Sequence, residues 1–410
     1  MRIRRVQVEE LQLGDYVCRL DRPWKETPLP YRGFEIENYG EIRTIQQYCR
    51  HVWISTAREQ DTAPAEARSQ APSETQASVA STGQTNADRP TDFREATKQL
   101  NTKRKIIADV CARILNHARR GGEPDVERLK SSIAELQTEL TQYPQAGLWL
   151  LSLRDQSDAL VDHSVNVCGL AMLFLRHLEK QAGHQVTDES AVEIGLGALL
   201  HDIGKTLLPP RLIYKEGAVT ADDWAQIHAH PQIGARILRK GGMPDTVCQI
   251  VRHHQERIDG TGFPDQLESR DIKLSWRLVG LVNAYDAMTS KWPRSPAISG
   301  YQALRSLGKD AEQGWGKNLV QQFTEMMGIY PPGTPVLLDN GTEAIVVASR
   351  PKSRLKPVVA IPSRPTGKSL QVSLLDLAHN ADQRQIQGVS APDSEHRKLA
   401  LQINRASLGA

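Results

Sequence analysis

His201-Asp202-Ile203-Gly204-Lys205 puts an imidazole and a carboxylate side by side, and the pair His253-His254 follows further along the chain. A carboxylate can bridge two cations and an imidazole can ligate one, so these residue types suit a metal site. A lone His-Asp dipeptide establishes nothing; the weight comes from other ligands nearby. Of twelve histidines, eight fall between His163 and His254. His163 lies in the apolar stretch His163-Ser164-Val165-Asn166-Val167-Cys168-Gly169-Leu170-Ala171. His230 precedes Pro231 and opens a stripe of Ile233, Ile237 and Leu238, while His253-His254 closes the run Val247-Cys248-Gln249-Ile250-Val251. Each sits on an element that should pack inward. His177, His184 and His228, with His51, His117, His379 and His396, read as surface or ordinary hydrogen-bonded imidazoles.

Those ligands need helices to hold them. The run Ile194-Gly195-Leu196-Gly197-Ala198-Leu199-Leu200 before the His-Asp pair reads as a buried helix. From 144 to 330 the pattern is almost all helical, with segments expected near 156–182, 187–203, 220–240, 244–255, 273–290 and 299–327. Residues 93–143 read as a helical connector, with Ile106, Ile107, Val110, Ile114 and then Leu129, Ile133, Leu136, Leu140 at three- and four-residue spacing. Residues 57–92 carry almost nothing large and apolar, the composition of a flexible linker. Residues 1–56 read as a small α+β module, with strands at Tyr16-Val17-Cys18 and His51-Val52-Trp53-Ile54. After Pro331, Val336-Leu337-Leu338 and Ala344-Ile345-Val346-Val347 flank the turn Asp339-Asn340-Gly341 as a hairpin. Lys356 to Ile361 reads as a third strand, which makes 331–380 a β-rich extension, and 381–410 reads as a loose polar tail. The expected class is mainly α: a helical bundle with a small N-terminal α+β module and a short C-terminal β extension.

At 410 residues the chain can form two or three domains, and a net charge of +3 gives no electrostatic case for DNA or RNA. The N-terminus lacks an apolar stretch that could export or anchor it, and no later segment reads as long enough to span a membrane. Five scattered cysteines without a Cys-x-x-Cys spacing read as reduced thiols, which points to the cytoplasm.

The helical body resembles the HD-GYP family, the branch of the HD phosphohydrolase superfamily that degrades bacterial cyclic di-GMP. The resemblance rests on His163-Ser164; His201-Asp202-Ile203-Gly204-Lys205-Thr206; Leu208-Pro209-Pro210 with Tyr214-Lys215-Glu216-Gly217; His230-Pro231 with Gly234; His253-His254 with Glu256-Arg257; Asp259-Gly260-Thr261-Gly262-Phe263-Pro264; and Tyr285-Asp286-Ala287-Met288-Thr289-Ser290. It covers roughly residues 145–330, and the first 56 residues look like a module often found ahead of such domains. It implies an HD-type bundle around two divalent metals, iron or manganese. His163, His201 and Asp202 would hold one, with Asp202 bridging, and His230, His253 and His254 would complete the second. Such a pair can acidify a water and aim it at phosphorus, while Lys205 holds a phosphate oxygen. Asp202 and Lys205 would be catalytic, the partner cyclic di-GMP and the product pGpG or GMP. Diguanylate cyclases of the GGDEF type are implied as protein partners; a homodimer is admitted, since no residue fixes the oligomeric state.

The chain departs from the family pattern at several positions. The Gly-Tyr-Pro of the family reads Gly262-Phe263-Pro264, which keeps the ring and loses the hydroxyl. The last metal ligand, usually Asp, is Asn283, whose neutral carbonyl oxygen is the weaker ligand. Asp286, about one helical turn on, reads as a capping or packing residue rather than a substitute. The substrate-binding Arg of the family is Trp292, leaving Lys291 or Arg294 to compensate and the indole free to stack on a guanine. Ala159 stands where some members carry a Glu for a third metal, so two metals are the most expected. The missing carboxylate at position 283 and the missing Arg give the alternative its ground: a weakened module acting as a cyclic di-GMP-responsive or protein-binding adaptor.

Overall fold

Alternation of apolar and polar residues in the first 56 positions builds a small sheet with one covered face. A computed structural model describes residues 2–12, 15–22, 27, 34–36, 39–56, 90–120, 126–153, 159–183, 187–213, 219–291, 296–350, 353–363, 371–380, 383–390 and 394–408. The chain divides into two units, Met1–Asp88 and Arg89–Ala410. In the first, β1 (Arg2–Gln7), β2 (Tyr16–Leu20), β3 (Phe34–Glu35), α1 (Tyr39–Tyr48) and β4 (His51–Thr56) form an antiparallel sheet of order β1-β4-β2-β3 with one helix. Val6, Val17, Val52 and Ile54 point into a core shared with Ile42 and Ile45 of α1. Strand β1 escaped the pattern reading because Arg2, Arg4 and Arg5 leave only Ile3 and Val6 as apolar residues in it. The expected linker lies outside the described residues up to position 89; its last three residues, 90–92, already belong to a helix.

The second unit is helical until its last eighty residues. It runs α2 (Pro90–Arg119), α3 (Val126–Gln142), α4 (Pro144–Ser152), α5 (Ala159–Ala182) and α6 (Asp188–Leu200), then a 3-10 turn (Ile203–Leu207) and α7 (Pro210–Ile213). It continues with α8 (Ala221–His228), α9 (His230–Lys240), α10 (Asp245–His253), α11 (Leu274–Thr289), α12 (Gly300–Lys309), α13 (Ala311–Gly314) and α14 (Lys317–Met327). Two expected long helices are broken. The 220–240 segment splits at Ala229, because Pro231 in the first turn of α9 lacks an N–H to extend the ladder of α8. The 299–327 segment breaks at Gly316, whose φ of 92° no helix accommodates.

Helices α5 and α6 are apolar on nearly every side, the pattern of elements enclosed by others. Helix α5 packs on α6 and α11, α10 packs on α6 and α9, and Phe174 meets Phe323 edge-on at 5.1 Å. Contrary to the sequence expectation, α5 is long and apolar enough to cross a membrane by composition alone, but 83% of that window is buried inside the protein. Helices α2 and α3 are not a separate connector: Leu100, Ile107, Leu129 and Ile133 belong to the same core as α5 and α6.

Strands β5 (Pro335–Leu338), β6 (Glu343–Ala348), β7 (Val358–Ser363), β8 (Gln371–Asp376) and β9 (Ile386–Val389) close an antiparallel sheet of order β8-β7-β6-β5-β9, followed by α15 (Ser394–Leu408). The segment expected as a loose tail therefore contains, among its described residues, a strand and a helix. Strand β9 pairs with β5, Ile403 is buried in the main core, and Asn404 accepts a hydrogen bond from the Trp149 indole at 3.2 Å. These are contacts across the whole length of the helical unit, which local periodicity does not register.

Candidate metal centre

Helix ends are where backbone carbonyls lack partners, and three histidines exploit that in the same way. His201 follows the last turn of α6 and donates its Nδ1–H to the Ala198 carbonyl at 2.8 Å. His230 donates to Ile227, in the last turn of α8, at 2.7 Å. His254, capping α10, donates to Val251 at 2.8 Å. Each ring bonds back three residues, which fixes the tautomer, since a carbonyl only accepts. The fourth ring, His163 on α5, is held instead by a carboxylate: its Nδ1 lies 2.7 Å from Asp286 Oδ2, on α11.

With Nδ1–H committed, each Nε2 carries a lone pair, and all four lone pairs converge on Asp202. His163 and His201 lie 3.7 and 3.3 Å from its Oδ2; His230 and His254 lie 3.2 and 3.8 Å from its Oδ1. The Nε2 atoms of His163 and His201 are 3.2 Å apart, and those of His230 and His254 3.3 Å apart. Neither pair has a proton to share, and Asp202 Oδ1 accepts no hydrogen bond although fully buried. Facing lone pairs around a buried carboxylate repel one another unless a cation lies between them. The donor set therefore fits divalent cations: the His163-His201-Asp202 group would hold one and the Asp202-His230-His254 group another, with Asp202 common to both.

Electrostatics favour the form a cation needs. Burial pushes His163 and His230 below the ordinary imidazole value, and burial together with its imidazole neighbours pushes His254 well below it. Burial works to raise the Asp202 carboxyl, but the Lys205 ammonium, 2.6 Å from Oδ2, and His201 hold it well below the usual carboxylate range. Burial thus favours the neutral ring at His163, His230 and His254 beside an ionised carboxylate, so these three can bind metal without first losing protons.

One expected ligand does not join the cluster. His253 Nε2 lies 3.0 Å from Asp265 Oδ2, its Nδ1 donates to the Gln249 carbonyl, and the ring stacks on Trp276 at 4.0 Å. The reason is helical geometry: successive side chains on a helix diverge by about 100°, so His253 and His254 cannot both aim at Asp202. Asn283 is buried in the wall of the adjoining cavity. Asp286, expected to cap or pack, is the orienting partner of His163 and also accepts from the Ser290 hydroxyl at 3.1 Å.

A cavity of about 620 Å³ opens onto the cluster, with Lys205, Gly262 and Phe263 in its wall. The loop bearing Gly262-Phe263-Pro264 is clamped by the buried Glu256 carboxylate, which accepts the N–H groups of Asp265 at 2.7 Å and Leu267 at 3.1 Å. Pro264 follows a cis peptide bond and is not among the lining residues. Lys291 is exposed and does not line the cavity, while Trp292 and Arg294 lie outside the described residues. Sequence reading missed two further wall residues. Trp224 and His228 stand four apart on α8, a spacing that puts them on one face, and His228 stacks on Phe263 at 4.0 Å.

The HD domain family model matches residues 101–318, and a domain of unknown function (DUF3391) matches residues 3–129. The chain is 28% identical over 373 residues to a cyclic di-GMP phosphodiesterase of Pseudomonas aeruginosa, covering 88% of this chain and 85% of that protein. It is 32% identical to a cyclic di-GMP phosphodiesterase of Thermotoga maritima over 33% of this chain and 37% of that protein. An HDGYP protein of Bdellovibrio bacteriovorus aligns over 79% of this chain and 99% of its own, at 18% identity and a TM-score of 0.45. With more than half of its length matched, including every residue of the histidine-aspartate cluster, the protein belongs to the HD domain family, in the HD-GYP branch whose relatives are phosphodiesterases.

Proposed function

We propose that this protein hydrolyses cyclic di-GMP to pGpG, GMP or both, using two divalent metals, iron or manganese. One observation carries the reading: four imidazole Nε2 atoms facing the two oxygens of one buried carboxylate. When bound, paired divalent cations supply Lewis acidity toward a phosphodiester and lower the pKa of water. The chain's own contribution is orientation. Ala198, Ile227, Val251 and Asp286 lock the imidazoles, and Asp202 spans both sets of ligands. Lys205, in the cavity wall beside Asp202, neutralises charge on a phosphate oxygen. Gly262 and Phe263 shape the wall facing the substrate, and residues 1–56 and the β5–β9 sheet serve as accessory modules to a catalytic body of residues 144–330.

The test is direct. Protein loaded with Fe(II) or Mn(II) under reducing conditions should hold about two metals per chain and consume cyclic di-GMP; His201→Ala should lose metal and turnover together. Turnover surviving in His201→Ala would overturn the two-metal reading. A second reading, a slow module that serves as an adaptor for GGDEF-type diguanylate cyclases, is favoured by Asn283 standing in the cavity wall where the family has Asp. Gain of turnover in Asn283→Asp from a wild type that binds cyclic di-GMP without cleaving it would select that second reading.

A further inference from the structure

Arg257 lines the same cavity and has an unusual anchorage. Its guanidinium lies over the Trp315 indole at 4.9 Å. Backbone bonds from Ile258 N–H to the Gly314 carbonyl (3.1 Å) and from Asp259 N–H to the Gln313 carbonyl (3.2 Å) tie its backbone to the segment that carries Trp315. Gly314 leaves the space the guanidinium occupies: a Cβ there would come within 3.1 Å of its terminal nitrogen. Yet among the described residues the guanidinium makes no hydrogen bond and no ion pair. Asp259, two residues on, feels the Arg257 charge but forms no ion pair with it, and its Oδ1 accepts from the Thr261 N–H and hydroxyl.

An arginine held by an acid is already neutralised. One held by an aromatic ring keeps its charge and all five N–H donors for a ligand, in a planar fork that matches a phosphate. A cyclic dinucleotide carries two phosphodiesters, and only one can lie against the metal cluster at a time. We propose that Arg257 anchors the phosphodiester that is not being cut, supplying from the loop after α10 the substrate cation missing at Trp292. The assignment rests on the reading of the cavity as a cyclic-dinucleotide site. It also predicts which substrates need the residue: those with a second phosphate.

Two substrates separate the possibilities. Metal-loaded wild type, Arg257→Ala and Arg257→Lys are assayed on cyclic di-GMP and on bis(p-nitrophenyl) phosphate, which has a single phosphodiester, with metal content measured for each. Losing charge-assisted hydrogen bonds should raise KM for cyclic di-GMP roughly ten- to a hundred-fold in Arg257→Ala. The one-phosphate substrate and metal content should stay unchanged. Arg257→Lys should fall between, since it keeps charge but loses the fork. An unchanged KM for cyclic di-GMP in Arg257→Ala overturns the assignment while leaving the phosphodiesterase reading intact. An equal loss on both substrates, or loss of metal, also overturns it by making Arg257 part of the scaffold. A wild type that cleaves bis(p-nitrophenyl) phosphate but no cyclic dinucleotide overturns the substrate reading itself, and the anchor with it.

Discussion

Exchanging one oxygen of Asp286 for nitrogen should separate two roles that look alike in a contact map. The carboxylate can only accept, so His163 carries its proton on Nδ1 and turns a bare Nε2 toward Asp202. In Asp286→Asn the amide can donate to Nδ1 instead, which moves the proton to Nε2 and blocks that lone pair. Outer-shell changes of this kind typically cost 10- to 100-fold in metal affinity. The loss should be confined to the His163-His201 side, so metal titration should show one site weakened by about that factor and the His230-His254 site retained. Two sites titrating as in wild type would mean that Asp286 only packs. The four imidazoles that face Asp202 were singled out in the sequence by their clustering on apolar runs and by the resemblance. Asp286 was not, since nothing in Tyr285-Asp286-Ala287 says whether a carboxylate faces a metal, a ligand of the metal or a helix end. His253 was misread for the complementary reason: adjacency in sequence is divergence on a helix.

At the level of elements, the site exists because the 3-10 turn and α9 touch backbone to backbone. A Cβ on Gly204 would lie 1.9 Å from the His230 carbonyl oxygen and 2.7 Å from the Gly234 nitrogen. Neither atom can rotate away, so Gly204→Ala must push the turn that follows Asp202 off the helix that starts at His230. At Gly195 a Cβ would meet the Ile133 methyl at 2.8 Å and the Met172 sulfur at 3.2 Å, both ends of movable side chains. Overpacking costs about 1–3 kcal/mol where side chains can yield; Gly195→Ala should fall in that range. Gly204→Ala should exceed it and should also separate Asp202 from His230, weakening the second metal. Urea midpoints and metal counts for the two variants check this, and equal destabilisation would refute it. Of the elements, the central helices could be read from their periodicity. What could not be read was set by distant partners: α2 and α3 as part of the core, β9 completing the sheet edge, and α15 docked through Ile403 and Asn404.

For the molecule as a whole, the same burial that prepares the cluster sets a pH dependence with a definite sign. His163, His230 and His254, and outside the ligand set His177, His228 and His253, all titrate below the imidazole value of 6.5, burial being the first cause in each. Their unfolded counterparts bind protons as soon as the pH drops through 6.5, while the folded rings do so only at lower pH. Unfolding therefore takes up protons in this window, and the metal-free protein should lose stability as the pH falls from neutrality. The buried carboxylate does not cancel the trend. Asp202 titrates well below 3.8, so the stability it contributes is lost only in a more acidic window. Calorimetric Tm values in chelator should decline steadily between about pH 7 and pH 5. With metal present the protein should start from a higher Tm and fall more steeply, because cations bind only the deprotonated rings and acidification then releases them as well. A metal-free Tm that is flat across that interval would mean the imidazoles are not held neutral by burial, and the case for preformed ligand sites would fall with it.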